Sequence, residues 1–175
     1  MIMTRSTCIS IVLLSKPTRV NDREDIKMVE INREVIIDAP LDRIFDYVRK
    51  PGNLPAIWPN LVLIDNEKLL PNGGYSFQWE YQMFGMHLKG TGEYTAIVPN
   101  QWFTVTIKGN LESVITWTFR PNEGQTKVTF TIEYQLPLTI FNRMGKVITK
   151  NINEREADLV LVNLQAVFTT KHSSA

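Results

Sequence analysis

Cysteine and histidine are nearly missing from this 175-residue chain: Cys8 is the only cysteine, and His87 and His172 are the only histidines. A single cysteine excludes an internal disulfide and a thiolate metal cluster, and two histidines leave few metal constellations open. No cofactor is expected. Neither sign of charge is in excess, with 19 Lys and Arg against 18 Asp and Glu, and the basic residues form no run. That argues against nucleic acid, and against a strongly anionic membrane surface, as obligatory partners. Long apolar runs are also lacking. "CISIVLL" (Cys8–Leu14) falls well short of the roughly 20 residues of a membrane span. Lys16 and Pro17 follow it in place of a small-residue cleavage site, so it makes a poor signal peptide. Repeats and low-complexity segments are absent too. What remains is one domain, of a size at which folding buries roughly 70% of the chain's surface, with the cytoplasm as the default location.

Residues 1–27 differ from the rest and are expected to form a loosely ordered extension, or an upstream start with Met28 the natural first residue. A docked strand over Ile9–Leu14 is the alternative. The domain proper is expected over 28–170, with 171–175 a tail. From Val29 the punctuation becomes regular. "VEINREVIID" alternates as a strand, and "AP" ends it. "LDRIFDYVRK" places Leu41, Ile44, Phe45 and Val48 at helical spacing, with Asp38 available as a cap. "PGNLPAIWPN" reads as a proline-broken loop or second short helix. Strand-like runs follow at Leu61–Leu70, Tyr75–Met83, Met86–Val98, Trp102–Lys108, Glu112–Phe119 and Lys127–Leu136, separated by turn signals. Thr139–Thr170 has helical periodicity, enough for a helix of about 45 Å.

Hairpin counting tests whether these runs form one sheet. A two-residue turn at Phe84-Gly85 sets Tyr81 opposite Leu88, Trp79 opposite Gly90, Phe77 opposite Gly92 and Tyr75 opposite Tyr94. A turn at Pro99-Asn100 sets Ala96 against Phe103, Tyr94 against Val105 and Gly92 against Ile107. A three-residue loop at Gly109–Leu111 sets Val105 against Ile115 and Phe103 against Trp117. Pairing Phe119 with Val128 then sets Trp117 against Phe130, Ile115 against Ile132 and Ser113 against Tyr134. Every large apolar residue falls on one face. The other face is polar, carrying Gln78, Glu80, His87, Lys89, Glu93 and a series of threonines. A dry face needs a cover, and the C-terminal helix is the one element large enough. Its stripe reads Phe141, Met144, Ile148, Ile152, Arg155, Leu159, Val162, Ala166.

The order of these elements, with "IDAPLDRIFDYV" (Ile37–Val48), the Pro55–Pro59 segment, "TKVTFTIEYQLP" (Thr126–Pro137) and "LVNLQAVF" (Leu161–Phe168), resembles the helix-grip (START/Bet v1-like) superfamily. Within it, the polyketide cyclase/dehydrase-like and CoxG-like bacterial proteins are the most similar groups. The resemblance spans about Val29 to Phe168. It implies an α+β helix-grip fold: a curved antiparallel sheet of about seven strands wrapped around a long C-terminal helix, with two short helices after the first strand. It further implies a hydrophobic cavity used for lipids, sterols, polyketides or hormones, although fold alone selects no function.

The candidate cavity lining is Tyr75, Phe77, Trp79, Tyr81, Gly90, Gly92, Tyr94, Phe103, Val105, Ser113, Ile115, Trp117, Phe130 and Tyr134 on the sheet. Phe141, Met144, Ile148 and Arg155 are added from the helix, and Trp58 from the loop. Gly90 and Gly92 either leave volume for a ligand or relieve a bent sheet while neighbouring rings cover the gap. The hydroxyls of Tyr75, Tyr81, Tyr94, Tyr134 and Ser113 either bond to the protein or hold a ligand's polar end. Arg155 either snorkels and pairs with Asp158 or meets a ligand carboxylate or phosphate. Arg33 breaks the first strand's dry parity similarly. Trp58 is a plug under its loop or, with Leu54 and Ile57, part of a lid. His87 and Glu93 fall on the polar face as solvated residues, and the alternation around Asp65 and Glu67 is too poor to assign their face. No catalytic residue and no metal ligand is expected. Binding or transport of a hydrophobic small molecule is the leading expectation. The alternatives are a cyclase/dehydratase-like enzyme and a CoxG-like module docking on a membrane or protein partner. Oligomeric state is left open.

Overall fold

The computed structural model describes residues 26–83, 86–110, 112–137 and 146–169, with side chains described over 29–82, 87–110, 112–134 and 154–169. Strand β1 (Ile26–Ile37) leads into helix α1 (Leu41–Arg49), a short 3-10 turn (Pro51–Asn53) and the one-turn helix α2 (Leu54–Ile57). Strands β2 (Leu61–Leu69), β3 (Tyr75–Met83), β4 (Met86–Val98), β5 (Trp102–Gly109), β6 (Glu112–Asn122) and β7 (Gln125–Pro137) follow. Helix α3 (Lys146–Thr169) ends the described chain. The strands form one antiparallel seven-stranded sheet in the order β1-β7-β6-β5-β4-β3-β2. Each strand from β3 to β7 lies beside its predecessor, as hairpins require, while β1 closes against β7.

The predicted register holds across most of the sheet. Trp79 faces Gly90, Phe77 faces Gly92, Tyr94 faces Val105, Val105 faces Ile115, Trp117 faces Phe130 and Ser113 faces Tyr134. It fails locally at the β4–β5 hairpin, where Ile97 and not Ala96 faces Phe103. The loop is three residues long, with Asn100 at φ +58, and a shift between Tyr94 and Ala96 absorbs the extra residue. The bulge restores parity, so the apolar face survives the error. The "RPNEGQ" stretch is likewise tighter than a loop. β6 and β7 pair out to Asn122 and Gln125, and the turn is Glu123-Gly124, both at positive φ. β1 begins at Ile26, ahead of the expected Val29, and pairs with β7 along its whole length.

Two further expectations are corrected. Asp38 does not cap α1; the N-cap is Pro40, without a side-chain cap bond, because Ala39 and Pro40 separate Asp38 from the first turn. The helix stripe is also out of phase. Leu159 is 40% and Val162 57% exposed, and Ala166 and Arg155 are exposed too, whereas Ala157, Val160, Leu161, Leu164 and Phe168 are buried. "LVLV" (Leu159–Val162) is apolar around the whole helix, so periodicity alone does not fix which side faces in.

The core joins that edge of α3 to the inner sheet face and to Ile44, Phe45 and Val48 of α1. Phe45 meets Phe103 and Phe119 edge-on at 5.8 and 5.4 Å between ring centroids. Thr126, fully buried, donates its hydroxyl to the Ala39 carbonyl at 2.8 Å, tying β7 to the chain entering α1.

Candidate ligand site between sheet and helix

Among the described residues, the inner face of the sheet is not buried uniformly. Tyr94, Phe103, Trp117, Phe119, Val128 and Phe130 are sealed beneath α1 and the later turns of α3. Tyr81, Leu88, Ile107 and Ile132 point to the same face yet stay half-buried. α1 contributes three buried apolar side chains, Ile44, Phe45 and Val48, to the core.

The expected glycine space is occupied. A Cβ on Gly92 would stand 2.2 Å from Phe77 Cζ, and one on Gly90 would stand 2.6 Å from Trp79 Cζ2 and 1.9 Å from the Lys108 carbonyl oxygen. The two glycines seat the rings of the neighbouring strand. At both positions the neighbouring rings cover the gap, because β3 brings its widest side chains directly opposite.

The predicted hydroxyls separate into two sets. Tyr94 is structural: its hydroxyl donates to the Arg49 carbonyl at 2.9 Å, and burial pushes its pKa well above the ordinary phenol range. Its ring packs against Phe103 at 5.2 Å and Tyr75 at 6.1 Å, while the Arg49 guanidinium lies over Tyr75. Tyr81 is different. Its hydroxyl donates to Glu156 Oε2 on α3, and the other carboxylate oxygen accepts the Trp58 indole N–H at 2.8 Å. Burial first, then the charge of Glu156 and the hydrogen bond to it, hold the Tyr81 phenol protonated far into alkali, against a weaker opposing bond from Asn60. Trp58 also packs edge-on to Phe130 at 5.5 Å. It is thus both plug and clasp, and Asn163 reinforces it by donating to the Ile57 carbonyl at 3.1 Å.

Glu156 escapes a reading of the sequence that takes the helix phase from Leu159 and Val162. Once Ala157, Val160, Leu161 and Leu164 define the inner edge, Glu156 falls at its border. Arg155 is solvent-exposed, and Asp158, its expected local partner, instead accepts from Arg33 at 2.7 Å. Arg33 also reaches Glu154 at 3.4 Å. Both arginines are therefore accounted for outside the site.

The remaining predicted residues fall as follows. Phe77, Trp79, Val105, Ser113, Ile115, Trp117, Phe130 and Tyr134 are buried on the inner face. The side chains of Phe141, Met144 and Ile148 lie outside the described residues, as do residues 1–25. His87 sits on the outer face beside Glu80, 2.7 Å away; bonds from Lys89 and His87 hold Glu80 below the usual carboxylate range. Glu93 is exposed on the same side. Asp65 and Glu67 are both exposed, and the β2 irregularity between Asp65 and Lys68, with Asn66 at φ +52, explains their poor alternation. Two grooves of about 660 and 380 Å³ are lined mainly by outward residues such as Trp102, Thr118 and Arg120, or Gln78, Glu80 and Lys89. Among the described residues no cluster suits a metal ion, and no helix is long and apolar enough to cross a membrane.

A family model described as polyketide cyclase / dehydrase and lipid transport matches residues 28–169. The chain belongs to that family. Solved structures agree on the helix-grip fold at low identity. TTHA0849 from Thermus thermophilus is 18% identical with a TM-score of 0.64, over 84% of this chain and 100% of that one. The Zhui aromatase/cyclase from Streptomyces sp. R1128 is 12% identical with a TM-score of 0.65, over 82% and 94%. Ara h 8.0201 is 12% identical with a TM-score of 0.58, over 82% and 99%. Curated proteins give no match.

Proposed function

We propose that this member of the family binds and carries a hydrophobic small molecule in the space between the sheet and α3. The observation that carries this reading is the half-buried apolar group Leu88, Ile107 and Ile132 on the inner face, with Tyr81, Glu156 and Trp58 bonded together on the same side of the sheet. An apolar pocket with few, fixed polar groups is the usual form of a small-molecule site. The family description, which includes lipid transport, supports the same class.

The test is titration with Nile red, an uncharged apolar dye, against the intact protein and an Ile107→Trp variant that adds bulk at this half-buried group. Saturable binding that the variant loses while keeping native circular dichroism is the expected result. A natively folded protein that leaves the dye unbound overturns the reading.

A second reading is favoured by one specific contact. Glu156 and Tyr81 place a carboxylate and a phenol together, the pair needed to abstract a proton next to a carbonyl while polarising it. A relative titled aromatase/cyclase makes polyketide-like thioesters the substrates to try. Turnover abolished by Glu156→Gln supports catalysis. Saturable binding of such a thioester without conversion leaves the carrier reading alone.

A further inference from the structure

Trp79 lies two residues from Tyr81 on the same face of β3 and opposite Gly90. It is only 6% exposed, yet its indole N–H has no hydrogen-bond partner. Buried N–H groups are paired in the great majority of cases, so this one asks for an explanation. The ring is not free to turn away, because its Cζ2 and Cε2 edge lies against Gly90, as the 2.6 and 2.8 Å approaches of a Gly90 Cβ demonstrate. Nε1 is bonded to Cε2, so the donor stays over this part of the inner face.

The charges nearby are equally one-sided. Glu156 contributes a carboxylate at the site. Among the described residues no cation is paired with it: Arg33 is tied to Glu154 and Asp158, Arg155 is solvent-exposed, Lys89 is held by Glu80 on the outer face, and Arg49 lies over Tyr75. The described part of the site thus sets a neutral donor beside a carboxylate, a pairing that disfavours an anionic head group. We infer that the ligand is an uncharged amphiphile whose acceptor oxygen, a ketone, ester or similar carbonyl, takes the Trp79 N–H, and that lipids with carboxylate or phosphate heads are excluded. This rests on the binding reading above and names its ligand class and a specificity-determining residue.

The experiment displaces Nile red with 2-tridecanone and with tridecanoate, which share a chain and differ in head group. The ketone is expected to bind at least tenfold tighter than the carboxylate. Trp79→Phe lowers ketone affinity roughly three- to tenfold, the worth of one neutral hydrogen bond, and leaves the carboxylate unchanged. Glu156→Gln narrows the gap between the two. Because Trp79 is buried and its replacement risks misfolding, the unmutated protein is read in parallel by the indole N–H resonances of its four tryptophans. One of them shifts on adding ketone and none shifts on adding carboxylate. Equal or tighter binding of the carboxylate overturns the head-group assignment while leaving the cavity standing. Ketone binding that moves no indole resonance removes Trp79 from the site. Failure of dye, ketone and carboxylate alike to bind overturns the underlying carrier reading instead.

Discussion

Gly92→Ala separates a glycine that makes room for a ligand from one that seats a ring. The new methyl carbon would lie 2.2 Å from Phe77 Cζ and 2.6 to 2.7 Å from both Cε atoms. Contact between carbons is comfortable near 3.5 to 4.0 Å, so the ring must move by more than an ångström. It has little freedom to do so. Phe77 is 4% exposed and packs on Tyr94, whose ring lies against Phe103 and whose hydroxyl is fixed to Arg49. Overpacking of this kind costs about 1–3 kcal/mol, which for a domain of this size is a fall in Tm of roughly 3 to 10 °C. Urea unfolding followed by far-UV circular dichroism reads it directly, with the midpoint lowered and the slope unchanged. Adding Phe77→Leu removes the offending ring atoms, so the double variant is expected to be more stable than the two single effects added together. A Gly92→Ala protein that unfolds at the parental midpoint refutes the ring-seat account and returns the glycine to the cavity.

Three other outcomes follow from contacts of the same kind. Thr126→Val keeps shape but strands the Ala39 carbonyl, and a loss of about 1–2 kcal/mol in chemical denaturation is expected. Glu156→Ala leaves the Tyr81 hydroxyl and the Trp58 indole without their acceptor, so a loss of roughly 2–4 kcal/mol should accompany faster amide exchange around α2. Tyr81 and Tyr94 both have folded pKa values above the ordinary 10.0; their contribution is complete below pH 10 and is lost as pH rises beyond it, because only the unfolded chain releases those protons readily. Stability measured from about pH 8 to 11.5 should therefore hold and then fall, with a shallower fall in Tyr81→Phe.

The sheet was legible because its signal is redundant. Each inner strand pairs with two others, so one wrong turn conflicts with several correct pairings. The bulge at Thr95 illustrates the limit: counting from Pro99-Asn100 placed Phe103 one residue out, yet Tyr94 still met Val105 because the bulge takes up the difference. A helix has no such cross-check. Leu159 and Val162 continue the apolar series begun by Phe141 and Met144 as convincingly as Val160 and Leu161 do, and only packing against β1 and α2 decides between them.

That single ambiguity hid the polar part of the site. With the phase taken from Leu159 and Val162, Arg155 falls in the apolar stripe, where it either pairs locally with Asp158 or meets a ligand anion. With the phase fixed by Val160 and Leu164, Glu156 stands at the inner border and bonds Tyr81, while Arg155 is exposed. Arg33 was equally misleading on strand parity alone. β1 is an edge strand, so an inward side chain there can pass beside α3 to reach Glu154 and Asp158. The apolar inner face was therefore readable from alternation, whereas which charged side chain borders it depended on about 100° of helix rotation, the step between adjacent residues.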